Sequence, residues 1–138
     1  MDRAAIKGIL PHREPMLLLD EVELAEGSVH GRYTVRGDEF FLQGHFPGNP
    51  VLPGVMLCEM MAQSACLLVE GTGEKFTPFF TGIKNAKFKN VVRPGDIIDL
   101  VTELVARKGN FYFVKSQALV DGRLCASGEL SFAIVEGE

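Results

Sequence analysis

A chain of 138 residues and 15.1 kDa has the length of one domain, so 1–138 is read as a single unit, which excludes a separate cofactor domain. Its 46% hydrophobic and 23% charged residues are ordinary globular proportions, which exclude a disordered, collagenous or coiled-coil chain. Lys and Arg number 14 against 18 Asp and Glu, and a net charge of −4 argues against nucleic-acid binding through phosphates.

Residues 6–10 read as a short helix stopped by Pro11, and residues 16–24 as a strand broken at Gly27. Residues 29–35 alternate Val29, Gly31, Tyr33 and Val35 against His30, Arg32 and Thr34, the pattern of a half-buried strand. The stretch 43–54, QGHFPGNPVLPG, is too rich in Gly and Pro for regular structure and reads as a loop of fixed turns. Residues 55–71 then read as a helix punctuated by Pro53 before and Gly71 after. It is apolar nearly all round and therefore buried. Strands follow over 79–92, 97–106, 111–120 and 123–135, parted by turns at Arg93-Pro94-Gly95-Asp96, at Lys108-Gly109-Asn110 and at Asp121-Gly122. One long buried central helix wrapped by a curved antiparallel sheet is an α+β arrangement, and the hot-dog fold has that shape.

The chain opens MDRAAIKGIL, without the apolar run of a signal peptide. The longest apolar-rich stretch, 54–69, contains Glu59 and Gln63 and falls short of the roughly 20 residues a membrane span needs. Cys58, Cys66 and Cys125 form no CxxC pair and have no neighbouring His, so no zinc spacing exists. Their odd number suits reduced thiols and a cytoplasmic protein.

Glu59 stands mid-helix among Met56, Leu57, Met60 and Met61, with Gln63 four residues on and on the same face. A carboxylate among apolar side chains is costly unless paired or protonated. A protonated one is a proton donor at neutral pH. The plainer alternative is a narrow polar stripe open to solvent. His45 in the Gly/Pro loop is either a general base or a histidine satisfied by a backbone carbonyl. Gly54 at the helix start would leave unpaired N–H groups at the positive end of the dipole, open to a substrate oxygen; otherwise it is an ordinary turn glycine. His12 and His30 read as structural or solvated. Phe76, Phe79, Phe80, Phe88 and Phe111 read as core, some of them free to line an acyl channel. Lys75, Lys84, Lys87, Lys89 and Arg93 form a basic strip with no acidic residue among them, either a solvated strand face or a surface that steers an acidic partner.

The run Gly44-His45-Phe46-Pro47-Gly48-Asn49-Pro50-Val51-Leu52-Pro53-Gly54-Val55, followed by Glu59, Ala62 and Gln63, resembles the signature of the (3R)-hydroxyacyl-[acyl-carrier-protein] dehydratases of type II fatty acid synthesis, the FabZ type. Leu10-Pro11-His12-Arg13 with Pro15 and 18–22 resembles that family's amino-terminal motif, and 80–96 its segment after the helix. The likeness covers most of the chain. It implies a hydro-lyase of lipid biosynthesis with the hot-dog fold and with neither metal nor organic cofactor. It also implies a homodimer in which each active site joins His45 of one subunit to Glu59 of the other, three dimers commonly making a hexamer. In that reading His45 takes the C2 proton and the N–H groups of Gly54 and Val55 hold the thioester oxygen. Glu59 protonates the departing C3 hydroxyl, Gln63 orients Glu59, and Lys84, Lys87, Lys89 and Arg93 meet the acidic acyl carrier protein. Glu14 and Met16 depart from the family pattern without touching this chemistry. Glu and not Asp at position 59 favours a dehydratase that does not isomerise the double bond.

Three other functions remain open on the same fold: an acyl thioesterase, an enoyl hydratase using coenzyme A thioesters, and a non-catalytic protein that binds the carrier.

Overall fold

The computed structural model describes residues 1–69 and 76–136; Gly71 and Lys75, read above as a helix stop and as part of the basic strip, lie outside the described residues. A short helix α1 (Arg3–Lys7) leads to strands β1 (Glu21–Ala25) and β2 (Ser28–Thr34), the central helix α2 (Gly54–Cys66), and strands β3 (Phe76–Phe88), β4 (Ile97–Lys108), β5 (Phe111–Val120) and β6 (Arg123–Glu136). The six strands form one antiparallel sheet in the order β1-β2-β4-β5-β6-β3. With α2 packed against the inner face of β2, β4, β5 and β6, this is the α+β hot-dog fold.

The alternation seen in β2 puts Val29, Gly31 and Tyr33 inside, and β5 does the same with Tyr112, Val114, Ser116, Ala118 and Val120. The turn at Asp121-Gly122 has positive φ at both residues, 51° and 75°, which matches the twist of a two-residue hairpin. The one polar pair inside the sheet among the described residues is closed on itself, Thr102 Oγ1 and Ser116 Oγ lying 2.7 Å apart. In α2, nine positions are buried, including Leu57, Cys58, Met60 and Met61, so its lack of a polar face reflects its central place.

The helix lies close to the sheet because β2 carries no side chain at Gly31. A Cβ there would stand 2.7 Å from Ser64 Oγ and 3.2 Å from Leu19 Cδ2. Gly31→Ala therefore lifts α2 from its seat and costs about 1–3 kcal/mol, as overpacking does. Urea unfolding measures this directly; a loss below about 0.5 kcal/mol would mean that the helix is not held at this distance.

Helix α2, read over 55–71, ends at Cys66, and the strand read over 79–92 is β3 at Phe76–Phe88; two further elements also differ from the reading of the sequence. Helix α1 starts earlier, because Asp2 caps it by accepting the Ala5 N–H at 2.9 Å, and it ends at Lys7 before Pro11 is reached. The strand read over 16–24 begins only at Glu21. The Leu18 N–H and the Met16 carbonyl are taken by the Gln63 side chain, and the Arg3 guanidinium takes the carbonyls of Leu17 and Leu19. With those groups occupied by side chains, 16–19 has no ladder to join.

Most of the phenylalanines read as core are also not there. Phe76 is buried, but Phe79, Phe80, Phe88 and Phe111 are between 43% and 54% exposed. Strand β3 is an edge strand, and among the described residues β6 is the one strand paired with it.

Candidate active site

Glu59 and Gln63 lie one turn apart on α2, and Gln63 is fixed on every side. Its Oε1 accepts the Leu18 N–H at 2.8 Å, and its Nε2 donates to the Met16 carbonyl at 2.6 Å and to Glu59 Oε2 at 2.9 Å. The amide can face only one way, since a backbone N–H requires the oxygen and a carbonyl requires the nitrogen. Gln63 is 1% exposed, which disposes of a solvated polar stripe. Glu59 is held by this clamp with its side chain 23% exposed, at the mouth of a cavity of about 50 Å³ lined by His12, Glu59 and Gln63 against Cys66, Phe80 and Phe132.

His12 in this cavity is the residue that the sequence reading missed. Its Nε2 lies 3.7 Å from Glu59 Oε2, too far for a direct hydrogen bond. Its Nδ1 is buried with no partner among the described residues. Burial pushes the imidazole below its usual value, Arg13 works in the same direction, and Glu59 opposes both. The loop that carries it is tied by Arg13, whose guanidinium donates to the carbonyls of Lys7, Leu10 and His12. The only sign in the sequence is its place beside Leu10 in the Leu10-Pro11-His12-Arg13 run. The 46 positions between it and Glu59 hide the contact.

His45 sits in the Gly/Pro loop, and of the two readings made for it the structure shows the contact with a backbone carbonyl. Its Nδ1 lies 2.8 Å from the Val51 carbonyl. A carbonyl only accepts, so in the neutral ring Nδ1 carries the hydrogen and Nε2 keeps its lone pair, the form that can take a proton. The loop is rigid by its own bonds: Phe46 and Asn49 exchange backbone hydrogen bonds at 3.0 and 2.9 Å, and the Val51 N–H donates to the His45 carbonyl at 2.8 Å. Gly44, with φ of 84°, permits the turn into it.

Arg93 belongs to this loop as well. Its Nη1 donates to Asn49 Oδ1 at 2.7 Å, and its backbone N–H donates to Asp96. Lys84, Lys87 and Lys89 are exposed, with Glu129 opposite Lys84 in register.

Gly54 opens α2 behind Pro53, which offers no side-chain cap to the first turn. A Cβ at Gly54 would stand 2.9 Å from the Phe88 ring, so the missing side chain is what lets that ring lie over the helix start. The Gly54 and Val55 N–H groups therefore lie at the positive end of the helix dipole, beside an aromatic wall.

Within one chain the structure joins Glu59, Gln63 and His12. The cavity at Glu59 is lined without His45, whose ring bonds to the Val51 carbonyl while Glu59 bonds to Gln63. All three cysteines are free and buried. Burial raises their thiols, that of Cys66 most strongly and with help from the Glu59 charge. Among the described residues no three His, Cys, Asp or Glu side chains cluster as a metal site would need, and no helix is long and apolar enough to cross a membrane.

The FabA-like domain family matches residues 10–129. A 3-hydroxyacyl-[acyl-carrier-protein] dehydratase FabZ of Caldicellulosiruptor saccharolyticus is 47% identical over 96% of this chain and 98% of its own length. The FabZ of Campylobacter jejuni is 42% identical over 99% of both chains. Among solved structures, the dehydratase heterocomplex ApeI:P of Xenorhabdus doucetiae superposes with a TM-score of 0.81 at 22% identity, over 96% of this chain and 91% of that one. A hypothetical thioesterase of Streptococcus pneumoniae with coenzyme A superposes at 0.66 and 14% identity, over 84% and 85% of the two chains, so the fold alone does not choose the chemistry.

Proposed function

This chain belongs to the FabA-like domain family, as a 3-hydroxyacyl-[acyl-carrier-protein] dehydratase of the FabZ type, and we propose that His45 and Glu59 from two copies of it carry the reaction. The observation that carries the reading is Glu59, held by Gln63 at a cavity walled on one side by Cys66, Phe80 and Phe132, in a chain alike to these dehydratases over nearly its whole length.

Dehydration removes a proton from C2 and hydroxide from C3 of a (3R)-3-hydroxyacyl thioester. The His45 Nε2 lone pair takes the C2 proton. Negative charge then builds on the thioester oxygen, where the Gly54 and Val55 N–H groups and the α2 dipole stabilise it. Glu59 gives its proton to the C3 hydroxyl, which leaves as water, and the C2–H electron pair becomes the double bond. Gln63 orients Glu59. Neither metal nor organic cofactor has a part in these steps.

We read 1–138 as one dehydratase domain and the working unit as a homodimer that shares its sites. The long edge strand β3, with Phe79, Phe80 and Ile83 exposed, supports a second copy against it. Exposed Ile97, Val101 and Val105 along β4 support further packing of dimers, three making a hexamer. The substrate's carrier is acyl carrier protein, met by Lys84, Lys87 and Lys89; Arg93, turned to Asn49, contributes at the edge of that strip. Three buried free thiols agree with the cytoplasm.

The test is hydration of a short trans-2-enoyl-acyl carrier protein, followed by loss of enoyl absorbance and by mass spectrometry. A 3-hydroxyacyl product supports the dehydratase; free carrier thiol would mean a thioesterase. With Lys84, Lys87 and Lys89 all changed to Glu, KM for the carrier substrate rises at least about tenfold with kcat within twofold, and the coenzyme A thioester is unaffected. An equal loss on both substrates would remove the carrier from this surface.

A further inference from the structure

Glu59 can give its proton to the C3 hydroxyl only from a fixed place, and what fixes it reaches beyond Gln63. We propose that Arg3 is a positioning residue for Glu59, acting through the 16–19 segment that orients Gln63. The inference rests on the reading of Glu59 as the acid.

The connection is continuous in hydrogen bonds. Gln63 donates to Glu59 Oε2 at 2.9 Å, and backbone orients Gln63 itself: the Leu18 N–H at 2.8 Å and the Met16 carbonyl at 2.6 Å. Those two groups are only as fixed as the segment that carries them. Arg3 takes the alternate residues of the same segment, its Nη2 donating to the Leu17 carbonyl at 2.9 Å and its Nη1 to the Leu19 carbonyl at 3.0 Å. Residues 16–19 belong to no strand, so these two side chains stand where neighbouring strands would. Leu17, Leu18 and Leu19 are all buried, so the segment cannot turn its backbone to water without drawing them out of the core.

The guanidinium is itself held. Its Nε donates to Glu14 at 3.0 Å, and Nη1 also reaches Asp20 Oδ1 at 3.1 Å. Asp20 is fixed in turn by the Thr34 N–H at 2.7 Å and by Arg36 at 2.6 Å. The short helix α1 that carries Arg3 is pinned to β1. The Met1 nitrogen donates to the Val22 carbonyl at 2.9 Å, and the Val22 N–H donates to the Met1 carbonyl at 3.0 Å. A planar fork serves two carbonyls and two carboxylates at once, which the single ammonium of a lysine cannot. Without the fork, two carbonyls among buried leucines lose their donor and the segment shifts to find another. The Leu18 N–H and the Met16 carbonyl move with it, Gln63 follows, and Glu59 is no longer aimed at C3. A small misplacement of a reacting group is costly, because the rate depends on reach and alignment.

The experiment compares Arg3→Met, Arg3→Lys and Arg36→Met in the intact protein, with Arg3→Met also made in a Glu59→Gln background, on the trans-2-enoyl carrier substrate. Arg3→Met lowers kcat about tenfold with KM within about twofold. Arg3→Lys lowers kcat at least about threefold, because one ammonium does not grip both carbonyls. Arg36→Met also removes a bond to Asp20 but touches no backbone group of 16–19, and it keeps kcat within about twofold. In the Glu59→Gln background, read at raised enzyme concentration, Arg3→Met costs nothing further, since no acid is left to aim. A general loosening of the fold would instead multiply the two losses. An Arg3→Met kcat within about twofold of wild type overturns the proposal, as does an equal loss from Arg36→Met or a further tenfold or so in the Glu59→Gln background. If Arg3→Met fails to fold, Arg3→Lys decides, and a wild-type kcat there overturns the proposal. A fully active Glu59→Gln would instead overturn the acid assignment itself.

Discussion

Glu59→Gln lowers the turnover of the 3-hydroxyacyl carrier substrate by about 10²–10⁴-fold, the range a general acid supplies. The substitution removes the donor and little else. The amide has the shape of the carboxyl group, and its oxygen can accept from Gln63 Nε2 as Glu59 Oε2 does now, at 2.9 Å. Gln63 keeps its bonds to the backbone at positions 16 and 18, so the clamp on this part of α2 survives. The melting temperature therefore moves by no more than a few degrees and KM stays within about threefold, while kcat falls. A variant that keeps kcat within tenfold would show that the proton comes from elsewhere and that Glu59 is there for the Gln63 network. A variant that loses rate and fold together would say nothing of acid catalysis, which is why circular dichroism and the kcat–KM split are measured on the same preparation.

The pairing of Glu59 with Gln63 was legible because it is local. Four residues along a helix fix two side chains on one face whatever the rest of the chain does. The hairpins at 108–111 and 120–123 and the inward phase of β2 were legible for the same reason: turn chemistry and alternation are properties of neighbours. The readings that failed are those that depend on distant partners. Residues 16–19 have the composition of a strand, yet Gln63 and Arg3 take their backbone groups, and neither residue lies near them in sequence. His12 reads as structural or solvated because its neighbour in space, Glu59, is on another element. Arg93 looked like one more charge in a strip until Asn49 appeared beside it. The exposed Phe79, Phe80 and Phe88 are the sharpest case, since hydrophobicity says that a residue is to be covered but not by which chain.

That question of which chain has a decisive test. In a homodimer with composite sites, His45→Ala and Glu59→Gln are each inactive alone, and mixing them restores activity. The arithmetic is strict. In a mixed dimer one site inherits both substitutions, and the other combines the intact His45 of one subunit with the intact Glu59 of its partner. Random exchange makes about half the dimers mixed, and each carries one working site of two, so about a quarter of wild-type activity returns from two preparations that each lack it. Subunits are unfolded and refolded together at equal amounts, with each variant refolded alone as control. His45→Ala leaves the loop held by the Phe46–Asn49 pair and by the Leu52 N–H on the Val92 carbonyl, so it keeps the surface needed to pair. If activity stays at the level of the separate variants although mixed dimers form, each site lies within one chain. His45 would then have to reach Glu59 by moving the 43–54 loop, against the backbone bonds that now hold it. A return near one quarter instead places the base and the acid on two different copies, and the apolar edge at β3 becomes part of the enzyme's chemistry: without its cover, no copy holds a complete site.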